Sequence, residues 1–208
     1  MNKIIVLYTV LKIIKLILDI SLNKYKHIFE GDDQMSKPLY LVCAKSFTGK
    51  DYIVDKMCKD FNMSKVISKT TREPRYAGEN THVFVTKEQA LKEVPNSLAN
   101  TYFDDNYYYT DLESINNKDF YIIDPNGIKN FKYDLIKDRD VISCYIDCNF
   151  WTRLKHSIKR KDGIIKTIKR FINDIKEFRK VSVYDFTLWF NNTQEFYDYI
   201  YIKKTIGE

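Results

Sequence analysis

Residues 39–52, LYLVCAKSFTGKDY, form a short apolar run that ends in a glycine-lysine pair and leads into a helix-patterned segment, which reads as strand, loop, helix. The loop falls on the spacing G-x-x-x-x-G-K-[ST], in which backbone N–H groups and the start of the following helix cradle phosphate while the lysine supplies a point charge. Ala44, Gly49, Lys50 and Asp51 take the four defined positions. Gly49 and Lys50 match fully, and Ala44 is small where a small residue is wanted. Asp51 puts a carboxylate where a hydroxyl commonly holds Mg²⁺, and a carboxylate can ligate that ion directly or through water. Taken alone, the stretch is equally a strand-loop-helix with an incidental Gly-Lys pair.

The 208 residues suffice for one domain with a sizeable core, with or without an appendage, and not for two large domains. A content of 44% hydrophobic, 15% aromatic and 30% charged residues is that of a soluble globular chain. The formal charge of +6 suits nucleic acid or a phosphorylated small molecule without choosing between them. Cys43, Cys58, Cys144 and Cys148 form no C-x-x-C pair and show no zinc spacing, so they read as buried free thiols in a reducing cytoplasm.

Residues 1–35 stand apart. From 4 to 22 the chain is strongly apolar, but Thr9, Lys12, Lys15, Asp19 and Asn23 recur every three or four residues, which predicts an amphipathic helix. Its three charges argue against a membrane-crossing helix, and no small-residue cleavage site follows, so no export is expected. Docking on the domain or on a second subunit is favoured over contact with a membrane surface. Residues 24–34 read as a polar linker, and residues 36–208 as the domain proper.

After the loop, residues 65–75, KVISKTTREPR, run from a strand into a hydroxyl-rich turn with two arginines three residues apart. Ser68, Thr70 and Thr71 are donors, and Arg72 and Arg75 offer planar forks matched to phosphate. Together they suit a phosphomonoester better than a carboxylate. Here the sequence resembles the guanylate kinase family, whose nucleoside-monophosphate loop reads S-x-T-T-R-x-P-R and is matched without a gap by residues 68–75. The resemblance continues through Ala77-Gly78-Glu79, His82-Val83-Phe84-Val85, Asn106-Tyr107-Tyr108, Asp124-Pro125-Asn126-Gly127, and Arg153-Leu154 followed by Arg160 and Arg170, covering about residues 37–205.

The resemblance implies roles position by position. ATP would lie on Ala44, Lys45, Ser46, Phe47, Thr48, Gly49, Lys50 and Asp51, with Lys50 on the transferred phosphate. Ser68, Arg72, Arg75 and Tyr108 would hold the monophosphate acceptor, with His82 where the family has a tyrosine. Arg153, Arg160 and Arg170 stand at lid and hinge positions that close over the phosphoryl group. Asp124, at the end of an apolar strand, would hold Mg²⁺ through water, with Asp51 as a second ligand. Apart from any family, phosphoryl transfer mostly needs positioned positive charge, which this set supplies. Four departures stand out: His82; Ala99, with Asn100 beside it, where a glutamate reads the guanine edge; Tyr109 in place of a small residue; and Phe47 in place of a glycine.

The remaining pattern predicts strands over 141–148 and 184–190, a helix near 150 capped by Asn149 and Thr152, and a basic cluster at Lys155, Lys159, Arg160 and Lys161 in a lid near 155–165. A helix over 164–178 should carry Arg170 inward with Phe171, Ile175 and Phe178. Thr193 should cap a last helix, Trp151 and Trp189 should pack at the core or its edge, and His156 should lie at the surface. The expected fold is α/β: a parallel, mostly five-stranded sheet flanked by helices, with a monophosphate-binding subdomain near 66–120 and a lid implied by the resemblance. The implied function is an ATP-dependent kinase of GMP or dGMP. Its alternatives are a deoxynucleoside monophosphate kinase of altered base choice and an inactive phospho-ligand binding module. Nucleic acid is a poor partner, because Asp104 and Asp105 make the aromatic stretch 102–109 acidic.

Overall fold

Strand β1 (Ser36–Cys43) sends Leu39 and Leu41 to one face and Tyr40 and Val42 to the other, and all four are buried. A near-continuous apolar run of this kind marks a central strand covered on both sides. The computed structural model describes residues 36–137, 139–160, 163–179, 181 and 185–206. The helix expected over 4–22 and the linker over 24–34 lie outside the described residues.

β1 sits between β6 (Phe120–Ile122) and β7 (Arg139–Ile146), with β8 (Leu188–Phe190) beyond β7. β1 runs parallel to β6 with Tyr40 opposite Phe120, and β7 runs parallel to β8 with Cys144 opposite Leu188. Among the described residues the sheet therefore has four strands rather than five; the fifth place is held by one parallel bridge from Lys65 to Phe120. Ser64 accounts for the shortening. Its N–H donates to the Asp119 side chain Oδ2 at 2.7 Å instead of to a further rung, while its carbonyl accepts from the Asp119 N–H and, within the one bridge, from the Phe120 N–H.

Helix α1 (Lys50–Asp60) covers the Tyr40 face with Ile53, Val54 and Met57. A C-terminal helix, Thr193–Ile206, covers the same face with Phe196 and Ile200, and Phe120 lies 5.8 Å from Tyr40 and 6.2 Å from Phe196 between ring centroids. Each such fully buried ring contributes roughly 2–3 kcal/mol. On the opposite face Leu39, Leu41, Tyr121 and Ile123 pack with Leu98, Ala99 and Ile115. That second cluster anchors a second sheet within the span expected for the subdomain, ordered β3-β2-β5-β4 from β2 (Lys69–Thr70), β3 (Val83–Phe84), β4 (Ala99–Phe103) and β5 (Asn106–Thr110). Asp104 and Asp105 join β4 to β5 at φ +50° and +61°, the two-residue turn that matches strand twist. Helix α2 (Lys87–Glu93) lies between β3 and β4 in the chain.

Asp124, two residues beyond β6, caps α3 (Pro125–Lys129), its Oδ1 accepting from the Gly127 N–H at 2.6 Å. A Cβ on Gly127 would meet Ile123 Cγ1 at 2.6 Å, which explains the glycine. Helix α4 (Phe150–Arg160) begins with the Asn149 side chain accepting from the Thr152 N–H at 2.8 Å, as expected. Helix α5 (Ile164–Phe178) has the expected span. The last helix, α6, is capped by Asn192, which accepts from the Glu195 N–H at 2.9 Å, rather than by Thr193.

Three packing expectations are corrected. The strand expected over 184–190 is the three-residue β8, with Asp185 in a helical turn. Trp151 is 70% exposed and does not pack in the core, whereas Trp189 stacks 4.1 Å from Tyr145. Ile175 is 69% exposed; the inner stripe of α5 runs instead through Arg170, Phe171, Asp174 and Phe178, because the buried partner of this helix is a polar loop. Cys43 and Cys144 are buried thiols, and burial raises the pKa of both. Among the described residues no helix is long and apolar enough to cross a membrane.

Candidate functional site

The loop after β1 ends at Gly49, whose φ of +94° favours glycine and which serves as the N-cap of α1. The N–H groups of the first helical turn have no partner within the helix, so this end can receive an anion. Thr48 Oγ1 is buried without a hydrogen-bond partner among the described residues. Phe47 adopts φ +62°, an unusual conformation for a bulky residue. Its surroundings hold it there. The ring lies 5.5 Å from Phe171 and under the Arg170 guanidinium at 5.6 Å, and its carbonyl accepts from His156 Nδ1 at 2.8 Å.

Ser46 is gripped from both α4 and α5. Its N–H donates to both Asp174 carboxylate oxygens at 3.1 Å, its hydroxyl donates to Asp174 Oδ1 at 2.8 Å, and its carbonyl accepts from Arg153 Nε at 2.8 Å. An ion pair between Arg153 and Asp174 closes the ring, and both residues are buried. Arg153, expected at the phosphoryl group, thus holds the loop backbone. Arg160 lies in the exposed last turn of α4.

Lys50 opens α1 and pairs with Asp51 at 3.5 Å, and its charge holds the Asp51 carboxyl below the usual carboxylate range. Burial raises the Asp124 pKa against the hydrogen bonds of Gly127 and Thr101 and the charge of Lys50. Glu177 belongs to the same neighbourhood: burial first, then Asp124 and Asp174, raise it from 4.5 to about 7, against Lys50. The folded state therefore holds this proton more tightly than the unfolded chain, and stability from this group falls as pH rises from about 4.5 to about 7. Glu177→Gln should match the parent's stability at about pH 4 and exceed it at about pH 8 by about 1 kcal/mol once solvent screening is allowed for, read from urea midpoints at each pH. Equal parent and variant profiles across pH would contradict the raised value.

Strand register gathers the expected acceptor residues. Thr70 pairs with both Phe84 and Tyr108, and Tyr108 with Thr101, so these share one face of the inserted sheet, and the period of two adds Ser68, Arg72, His82 and Ala99. Ser68 Oγ lies 2.9 Å from His82 Nδ1, and the His82 and Tyr108 rings are 5.7 Å apart. Burial, and then the charge of Arg72, lower the His82 pKa, which favours the neutral ring. Arg72 donates to the Glu79 carboxylate at 2.8 and 3.3 Å, and the Arg75 N–H and Thr81 hydroxyl donate to the same group at 2.6 Å. These bonds hold Glu79 down to about 2 and fix the turn carrying both arginines. The Arg75 side chain remains half-exposed.

Asn100 and Tyr109 occupy the opposite face. They pair across β4 and β5, Asn100 donates to Ser97 Oγ at 3.1 Å, and Tyr109 donates to Glu93 Oε2 at 2.9 Å above Lys69. The bulk of Tyr109 therefore stays out of the face bearing Tyr108, and Asn100 cannot stand in for the side chain absent at Ala99. Sequence reasoning missed Glu79, Asp174 and Glu177 as site-forming groups; His156 is exposed as expected, and its contact with the Phe47 carbonyl is what the sequence did not show. Asp174 was within reach of periodicity, since it lies three residues after Phe171 and four before Phe178 on the inward stripe.

No family model and no curated protein matches the sequence. Among solved structures, an uncharacterised protein from Eubacterium ventriosum aligns over 82% of this chain and 99% of its own at 9% identity and a TM-score of 0.44. Guanylate kinase from Anaplasma phagocytophilum aligns over 83% of this chain and 87% of its own at 15% identity and a TM-score of 0.55. That likeness is one of fold, and with the parallel sheet and its glycine-lysine loop it gives the chain a P-loop kinase-like α/β architecture.

Proposed function

We propose that the chain is an ATP-dependent nucleoside monophosphate kinase with GMP or dGMP as its acceptor. One observation supports the reading: α5 touches both the glycine-lysine loop, through Asp174, and the turn of the hairpin that carries Tyr108, through a Lys169–Asp104 pair at 2.9 Å, so the loop suited to donor phosphates and the face of Ser68, Arg72, His82 and Tyr108 suited to an acceptor phosphate share one helix. Lys50 holds the donor phosphates, and Arg72, Arg75 and Tyr108 hold the acceptor phosphate. Arg170 and Arg160 bring charge to the phosphoryl group in flight.

Among the described residues no group of three or more His, Cys, Asp or Glu gathers as a metal site. That fits an ion that arrives with the nucleotide, since Mg²⁺ in such sites takes one or two carboxylates and completes its shell with phosphate oxygens and water. Asp51 and Asp124, both within the influence of the Lys50 charge, would hold it. Mg²⁺ supplies charge neutralisation at the phosphate oxygens.

Coupled ADP release with the eight ribo- and deoxyribonucleoside monophosphates tests the assignment, and no turnover with any of them would end it. Base choice should be relaxed. With Ala99 for a carboxylate, the guanine N1 and N2 donors lose a charged acceptor, which removes about 1.5–3 kcal/mol, or one to two decades of discrimination. The ratio of kcat/KM for GMP to that for AMP measures this, and a preference above about a thousandfold would show that another group reads the base.

A further inference from the structure

Helix α5 is amphipathic with its apolar side turned outward. Ile164, Ile165, Ile168, Ile172 and Ile175 are 80, 84, 54, 47 and 69% exposed, while buried Asp174 and half-buried Arg170 and Glu177 lie inward. The spacing 165, 168, 172, 175 makes one continuous stripe. On α4, Trp151 and Ile158, two turns apart, are 70 and 69% exposed. Apolar side chains clustered in this way on consecutive helices mark an interaction surface rather than scattered exposure.

Charge identifies the partner. Residues 150–179 contain ten Lys or Arg and three acids (Asp162, Asp174 and Glu177), a net +7, whereas the whole chain carries +6, so all remaining residues sum to −1. Lys155, Lys159, Lys166, Lys176 and Arg179 are exposed on the same two helices. A second copy pairing through this face would set +7 against +7. Nucleotide phosphates are met by the inward groups and give no reason for outward isoleucines. An anionic, apolar-backed partner satisfies both features.

We propose that the outer face of α4 and α5 docks on an anionic lipid bilayer surface. The isoleucines and Trp151 enter the boundary between headgroups and acyl chains, and the lysines and Arg179 meet the acidic headgroups. This is independent of the catalytic reading.

The test is co-sedimentation of the full chain with phosphatidylcholine vesicles, with and without about 30% phosphatidylserine, a content that makes the surface strongly negative. Tryptophan emission is followed in a Trp189→Phe background, so that Trp151 alone reports. The expected result is binding to the acidic vesicles with a blue shift, weakening as salt is added. Lys166→Glu with Lys176→Glu should reduce partitioning at least about tenfold. Ile168→Ser, Ile172→Ser and Ile175→Ser together should abolish the blue shift; because these side chains are exposed, the thermal midpoint should stay unchanged. Equal binding to both vesicle types overturns the proposal. So does binding that survives either set of substitutions, which would place lipid contact elsewhere in the chain, such as residues 4–22. Self-association removed by the serine substitutions, without lipid binding, would make the face a homodimer contact and would equally overturn it.

Discussion

Lys50→Ala should lower turnover with GMP by about two to three decades while changing GMP affinity less than about threefold. Lys50 opens α1 directly after Gly49, and it is the cation that acts on Asp51, Asp124 and Glu177. In the kinase reading, removing it withdraws positive charge from the donor phosphates and leaves the three carboxyl groups without the cation that favours their charged forms. The acceptor face, held by Glu79 and by strand register, does not contact Lys50 through any of its bonds. In a phospho-ligand binding module the expectation reverses: Lys50→Ala is silent and Arg72→Ala abolishes binding. Calorimetry of GMP binding beside steady-state turnover, on both variants, separates the two. An unaltered turnover in Lys50→Ala would sink the kinase assignment.

Asp174→Ala should destabilise the fold by about 3–5 kcal/mol, the usual consequence of leaving a buried charge without its partner. The stranded group is Arg153, 6% exposed, and the Ser46 N–H and hydroxyl lose their acceptor in the same step. Asp174→Asn keeps one acceptor oxygen for Ser46 and should fall between parent and alanine variant. Urea midpoints measure the stability. Because Asp174 acts on the loop through Ser46 and not on nucleotide, the asparagine variant should raise the KM for ATP more than that for GMP. A loss below about 1 kcal/mol in Asp174→Ala would mean that the grip on Ser46 contributes little.

Strand β1, the helix after the loop and the Asn149 cap of α4 were legible because each is encoded by neighbours in the chain. The apolar run of β1 and Asn149 ahead of α4 act over a few residues, whereas the capping role of Asp124 ahead of α3 was seen only in the fold. The fifth strand was not legible. Its shortening depends on Asp119, 55 residues from Ser64, taking the Ser64 N–H. Ile175 of α5 misled for the same reason. Periodicity locates an apolar stripe but not which side of the helix meets the protein, and here the inner side answers to a polar loop.

By itself, the sequence determined the loop at 44–51, the arginine turn at 68–75 and the α/β alternation, since each rests on local spacing and backbone chemistry. Only the tertiary structure decided which of the marked residues work as a group. Register sorted Tyr108 and Ala99 from Tyr109 and Asn100 onto opposite faces of one sheet. Chain folding brought Asp174 across 128 residues to Ser46, and Arg153 across 107, turning two sequence-distant charges into the clamp of the loop. Local propensity reaches a few residues along the chain; burial of charge and pairing of backbone donors are settled only when distant segments share one interior.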